Sequence, residues 1–250
     1  MSDHPTEQGH YYDPKTGEPR YTYTNAKGET KNTTLRECRK YGWVPSVTQI
    51  IKCADRPGLN NWIQEQTILA CLTLPKIDGE AEADYIKRLK EDSKAQAKKA
   101  SERGTQIHAI VQKGFQADFI EREDQSYYIS AKRTLDAECG PVDWICEKSF
   151  ATDRYGGKCD LHNDQFLIDI KSVSKDLANL ETYEEHWMQA SGYDKGLGEP
   201  RWSLYRKCGI LFIHQITAES RLIWITDKEI AKGWKMFNAL LDFWYARTGL

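Results

Sequence analysis

Nowhere in this sequence do eighteen apolar residues run together, and its first fifteen residues, MSDHPTEQGHYYDPK, hold no apolar stretch of the kind a secretory leader carries. Neither a membrane span nor a signal peptide is expected, and the chain reads as cytoplasmic. Charge of one sign is also lacking. Lys and Arg number 35 against 37 Asp and Glu, a formal net charge of −2, which excludes a protein that coats nucleic acid or membrane by bulk attraction. A polyanion must therefore meet a local basic patch. Paired cysteines are missing too: Cys38, Cys53, Cys71, Cys139, Cys146, Cys159 and Cys208 are widely spread and contain no CxxC. Neither a disulfide framework nor a zinc knuckle fits that spacing, so reduced thiols are expected.

What is present is enough hydrophobic sequence, 40% of 250 residues, for one sizeable core. Three regions differ in texture but are expected to form one compact domain. Residues 1–43 are rich in Tyr, Thr, Gly, Asn and Lys with Pro/Gly turn chemistry, as in YYDPKTGEPRYTYTNAKGE, and read as an appended β-ribbon. Residues 44–100 read as helical, with VPSVTQIIKC and NWIQEQTILACL separated by the turn DRPG at Asp55–Gly58, and a polar helix from about Ala81 to Lys113. Residues 101–250 hold a different period. Val142–Phe150, Gly157–His162 and Gln165–Lys171 read as strands, Glu181–Lys195 as a helix, and Gly209–Gln215 and Arg221–Ile225 as further strands. TDKE at Thr226–Glu229 is a capping box that opens a last helix. The fold class is α/β (α+β), a mixed central sheet flanked by helices.

Charge in the hairpin GGKCDLHNDQFLIDIKS, Gly156–Ser172, needs an explanation. With the turn at Asn163 and Asp164, His162 faces Gln165, Asp160 faces Leu167 and Lys158 faces Asp169. Alternation then places Cys159, Leu161, Phe166, Ile168 and Ile170 on an apolar face and Asp160, Asp169 and Lys171 on the other. The two aspartates become diagonal neighbours roughly 7–8 Å apart at the backbone. Carboxylates that close repel unless a cation or proton intervenes, and oxygen ligands select Mg²⁺ or Mn²⁺. The alternative is a solvated polar face with an ordinary ion pair between Lys158 or Lys171 and the aspartates.

The hairpin has company. GTQIH at Gly104–His108 precedes it and QASGY at Gln189–Tyr193 follows it. Together with Asp160 and D-I-K at Asp169–Lys171, these pieces resemble, in the expected order, the signature of the PD-(D/E)XK nuclease superfamily in its RecB-like branch. VPSVTQII and the helix bearing Trp62 further resemble the N-terminal region of phage-type exonucleases and of the mitochondrial genome maintenance exonuclease. The motifs span about Val44 to Tyr193; beyond them only the strand order agrees.

The resemblance implies a restriction-endonuclease-like core in which His108, Asp160, Asp169 and the backbone carbonyl of Ile170 hold Mg²⁺ or Mn²⁺. It makes Lys171 the catalytic lysine, with Gln189 and Tyr193 buttressing the site or holding the substrate strand. Glu147 is a candidate for a second metal, a surface ion pair being the alternative. Iron–sulfur members of the family carry a cysteine before the core and three closely spaced ones after it. Here only Cys208 follows Tyr193, so no iron–sulfur cluster is expected.

Lys87, Lys90, Lys94 and Lys98 fall at helical spacing, with Arg103 after them, so Lys94, Lys98 and Arg103 are candidate DNA contacts. Trp62, Trp187 and Trp202 are candidates for stacking on bases. The implied function is a metal-dependent DNA exonuclease acting from free ends of single strands in bacterial or phage replication, recombination or repair, with a single-strand-binding or annealing protein as a partner. A structure- or sequence-specific endonuclease on the same core, and a non-catalytic DNA-binding recombination partner, are the alternatives.

Overall fold

The computed structural model describes residues 10–55, 57–198 and 206–250. Trp202 and Arg56 of the DRPG turn lie outside them. The chain opens with β1 (Tyr11–Tyr12), an exposed ribbon of β2 (Thr22–Thr24) and β3 (Thr30–Asn32), helix α1 (Leu35–Tyr41) and β4 (Val44–Pro45). Three helices follow, α2 (Val47–Ile51), α3 (Pro57–Thr73) and α4 (Glu82–Phe115), then α5 (Gln125–Cys139). Next come β5 (Ile145–Ala151), β6 (Gly156–His162), β7 (Phe166–Val173), α6 (Glu184–Leu197), β8 (Lys207–His214), β9 (Ser220–Trp224) and α7 (Asp227–Thr248).

Strands β5 to β9 form one sheet in sequence order, antiparallel except for the parallel pair β7–β8, whose crossover is α6. Both central strands are covered on both faces, and their side chains divide by period two. Leu167 on β7 and Cys208, Ile210 and Phe212 on β8 join a core with α2, α6 and α7, while Ile168, Ile170, Leu211 and Ile213 join a second core with α4 and α5. The Thr226 hydroxyl caps α7 by accepting the backbone N–H of Glu229, and the Glu229 carboxylate accepts the Thr226 N–H in return, as TDKE predicts. Among the described residues, no helix is long and apolar enough to cross a membrane. The seven thiols are free.

The N-terminal segments are tied more deeply than their texture suggests. β1 pairs with β4 and a bridge joins Ser46 to Gly156, the first residue of β6. Within residues 44–100, Val44, Val47, Ile50 and Ile51 are buried core, because VPSVTQII repeats its apolar residues at the helical period. Tyr11 and Cys38 are buried in the same core. The sequence reading also assigned nothing to α5, whose Tyr127, Ala131 and Leu135 are buried at four-residue spacing within a largely polar stretch.

Register in the hairpin differs from the expectation by two residues. His162 pairs with Leu167 and Leu161 with Ile168, because Asn163 Oδ1 accepts the N–H groups of Gln165 and Phe166 and closes a longer turn. Lys158 consequently lies nowhere opposite Asp169; it pairs with Ser149 of β5. A shift of two keeps parity, so Leu161, Ile168 and Ile170 share one face as expected. Cys159 does not join them: it lies in the α6–α7 core. Pairing of β5 with β6 lapses between Cys146↔Leu161 and Lys148↔Cys159, where Glu147 adopts φ 54°. Cys146 and Phe150, an even number of residues apart, pack into different cores across that break.

Candidate active site

Four elements converge where β6 and β7 part. Asp160 comes from β6, Asp169 and Lys171 from β7, His108 from α4, and Gln189 with Tyr193 from α6. Asp160 Oδ2 accepts the backbone N–H of Ile170 at 2.7 Å, a donor that a regular ladder would have used. His108 Nδ1 stands 3.6 Å from the same oxygen. The helix bearing His108 comes close to β7: a methyl group on Gly104 would stand 2.9 Å from Ser172 Oγ, so the first residue of GTQIH has little room for a side chain.

Asp169 is 2% exposed. Its Oδ1 accepts Gln189 Nε2 at 2.8 Å, and its Oδ2 faces Lys171 Nζ at 2.8 Å without forming a well-aligned hydrogen bond. Lys171 Nζ donates to Gln189 Oε1 at 3.0 Å, and Gln189 Nε2 also donates to Tyr193 Oη at 3.1 Å. One amide therefore holds carboxylate, ammonium and phenol together. Gln189 and Tyr193 can do this because four-residue spacing puts them on one helix face.

The electrostatics are those of a tight charged cluster. Burial pushes the Asp169 carboxyl above the usual carboxylate range, and Asp160 adds to this against the pull of Lys171. Burial would raise Asp160 as well, but His108 and then Lys171 outweigh it and hold that carboxyl low. Burial opposes the charge on Lys171, yet Asp169 and Asp160 raise its pKa. His108 is likewise raised, Asp160 prevailing over burial. The lysine keeps 33% of its side chain exposed, which leaves the cluster open to a substrate.

A divalent cation can be weighed against these donors. Asp169 Oδ2 is buried without a hydrogen-bond partner, and with Asp160 and the His108 nitrogen it makes an oxygen-rich set of the type Mg²⁺ or Mn²⁺ accepts. As the side chains stand, no three His, Cys, Asp or Glu groups among the described residues close into a metal-holding arrangement. Lys171 occupies the position beside Asp169 that positive charge requires. The donor types fit, with the Lys171 ammonium as the group that would have to move aside.

Other expected residues fall farther out. Glu147 is ion-paired with Lys158 Nζ. Lys94 is exposed on α4, and Lys98 is exposed with Glu102 3.6 Å away. Trp62 is half-buried on α3. Arg103 is held firmly, donating to Gln106 Oε1 at 2.7 Å and Tyr127 Oη at 2.6 Å while lying over the Tyr127 ring. Tyr127 Oη in turn donates to the carbonyl of Gln215, whose side chain donates to Ser172 Oγ. This chain from Arg103 to the residue after Lys171 was missed by sequence reasoning, since Tyr127, Ser172 and Gln215 form no local motif.

No protein-family model matches the sequence, and no curated protein matches it. Two solved structures are similar in part. One is a presumed exonuclease from Eubacterium rectale, 12% identical with a TM-score of 0.39 over 54% of this chain and 63% of that one. The chain thus spans less than two thirds of that protein's length. The other is an alkaline exonuclease from Laribacter hongkongensis, 17% identical with a TM-score of 0.32 over 53% of this chain and 73% of that one.

Proposed function

We propose that this protein is a metal-dependent deoxyribonuclease of the PD-(D/E)XK type, RecB-like branch, which removes nucleotides from free ends of single-stranded DNA. The observation that carries the reading is Gln189, whose amide binds Asp169 and Lys171 at once. An ordinary polar face would not bury an aspartate and ration its partners in this way.

Asp160, Asp169, His108 and the carbonyl of Ile170 would hold Mg²⁺ or Mn²⁺. When bound, the cation supplies charge that acidifies water and offsets the phosphate. Lys171, an ammonium kept protonated by its carboxylate neighbours, is set to meet the negative charge that builds on the scissile phosphate. Gln189 positions it, and Tyr193 fixes Gln189. In the hydrolysis, water adds to phosphorus and the P–O3′ bond breaks, leaving a 5′-phosphate and a 3′-hydroxyl. Arg103 is held by neutral partners in a fixed pose, which suits a phosphate clamp.

The test is digestion of end-labelled single- and double-stranded linear DNA with Mg²⁺ or Mn²⁺ by the wild type and by Lys171→Ala. Stepwise metal-dependent shortening by the wild type alone supports the reading. Binding without cleavage under every metal condition would instead identify a non-catalytic DNA-binding module.

A further inference from the structure

Away from the aspartates, the N-terminal segment encloses an open groove of about 490 Å³ lined by residues that include Lys15, Arg20, Tyr23, Tyr41 and Trp43. Helix α1 ends at Gly42 in the left-handed conformation, φ 67°. That turn lays the rings of Tyr41 and Trp43 on each other, centroids 4.8 Å apart and 27° from parallel. Trp43 is anchored against the main core, whereas Tyr41 is 48% exposed. Lys40 Nζ lies 4.8 Å over the Tyr41 ring, an exposed side chain able to swing away. Arg20 is bound to Asp13 and Glu18, while Lys15 and Lys40 are exposed cations at the rim.

We propose that this groove binds an unpaired base of a nucleic-acid strand, stacked on the Tyr41–Trp43 platform, with flanking phosphates on Lys15 and Lys40. The identity of the polymer rests on the nuclease reading; the groove's own features are a π-surface and rim cations, the two elements of sequence-tolerant single-strand binding. Its position agrees. Tyr12, the residue before the groove-lining Asp13, packs its ring against Gly156, and Ser46 bridges the same residue. Asp160 lies four residues farther along β6, roughly 13 Å at strand rise. A strand long enough to run from the aspartates past Gly156 to the groove would engage both. A double helix would present its edges rather than an open base face, so the platform discriminates for unpaired DNA.

The test uses the full chain in EDTA, which prevents cleavage, with fluorescein-labelled oligo(dT) of two lengths, one too short to reach both sites. Anisotropy should show that the longer oligonucleotide binds more tightly and that Tyr41→Ala weakens it by about tenfold, the scale of one lost stacking contact. Tyr41→Trp should restore binding. Lys15→Glu with Lys40→Glu should lower the slope of log affinity against log salt by about 1.4, two phosphate contacts on a single strand. A 5-bromouracil oligonucleotide should crosslink to Tyr41 or Trp43. Affinity of Tyr41→Ala within twofold of the wild type, an unchanged salt slope, or equal preference for duplex would overturn the proposal. If Tyr41→Ala does not fold, the lysine pair and the crosslink decide. Cleavage with Mg²⁺ or Mn²⁺ is scored separately, so a groove that binds in a protein that never cuts fails only the nuclease reading.

Discussion

Asp160 accepts the backbone N–H of Ile170 at 2.7 Å, and paired contacts between β6 and β7 end at Leu161↔Ile168. A side chain has replaced a ladder bond, so the strands open just where two carboxylates must face one space. Asp160→Asn keeps an oxygen acceptor but loses the charge. We expect it to fold with near wild-type stability and to cleave DNA at least about a hundredfold more slowly. Asp160→Ala strands the Ile170 N–H and should also lose about 1–3 kcal/mol of stability. Urea unfolding and single-turnover cleavage separate the two effects; a fully active Asp160→Asn would remove Asp160 from the site.

Gln189 offers a second separation. Gln189→Leu leaves Asp169 and Lys171 in place but removes the amide that joins them. The turnover rate should fall by roughly ten- to a hundredfold, the scale of a loosened catalytic geometry. On the proposed reading the KM for DNA should change little, because the hydrogen bonds of the amide go to Asp169, Lys171 and Tyr193. Lys171→Ala should fall much further. A Gln189→Leu defect that appeared wholly in KM would show that Gln189 holds substrate instead.

The outcomes in the hairpin explain what could be read in advance. Turn chemistry at Asn163 misled the register by two residues, but an even slip keeps parity across the hairpin, so Asp160 stayed on the side of Asp169 and Lys171. Cys159 was misplaced because the left-handed backbone of Glu147 depends on tertiary surroundings and has no glycine to announce it. Gln189 and Tyr193 were singled out through the resemblance that QASGY carries, since their four-residue spacing alone describes an ordinary helix surface. The Arg103–Tyr127–Gln215–Ser172 chain was not, since it joins a helix, a second helix and two strand ends that only packing brings together. Likewise VPSVTQII carried a visible apolar period, but nothing local said which surface would cover it.

His186 gives the protein an acid sensitivity that can be measured. It is 2% exposed, tilted 40° against the Tyr183 ring and edge-on to Phe212, and its Nδ1 accepts the Tyr183 N–H at 3.4 Å. Burial, with Lys171 assisting, lowers its pKa from 6.5 to about 3. The unfolded chain therefore binds a proton that the folded chain refuses, and stability falls as pH drops from about 6.5 toward about 3. His186→Phe removes that term. Between pH 7.5 and 5.5 the wild type should lose about 1 kcal/mol more than the variant in urea unfolding. Parallel losses in both would mean that the imidazole is charged within the fold.

Helix α4 bears on how a strand end would reach the aspartates. It is one unbroken helix from Glu82 to Phe115, so the segment carrying Lys87, Lys90, Lys94 and Lys98 is rigidly continuous with His108. At 1.5 Å per residue, Lys98 stands roughly 15 Å and Lys94 roughly 21 Å before the histidine along the axis. Helix α3 packs beside this segment, and Arg88 fastens the turn between them through Glu80 and the carbonyl of Pro75. The pair makes a stiff wall, and the α4 lysines, interleaved with acidic residues, lie on the helix that carries His108. If a strand must pass that wall to reach Asp169, entry by threading requires a free end, whereas lateral entry from an open cleft does not. Linear single-stranded DNA should therefore be degraded with Mg²⁺ or Mn²⁺ while covalently closed single-stranded circles persist, read on denaturing gels. Lys94→Glu with Lys98→Glu should slow the linear reaction and lower its salt dependence. Rapid linearisation of circles by the wild type but not by Lys171→Ala would show that the site admits an internal strand, and would make the protein an endonuclease.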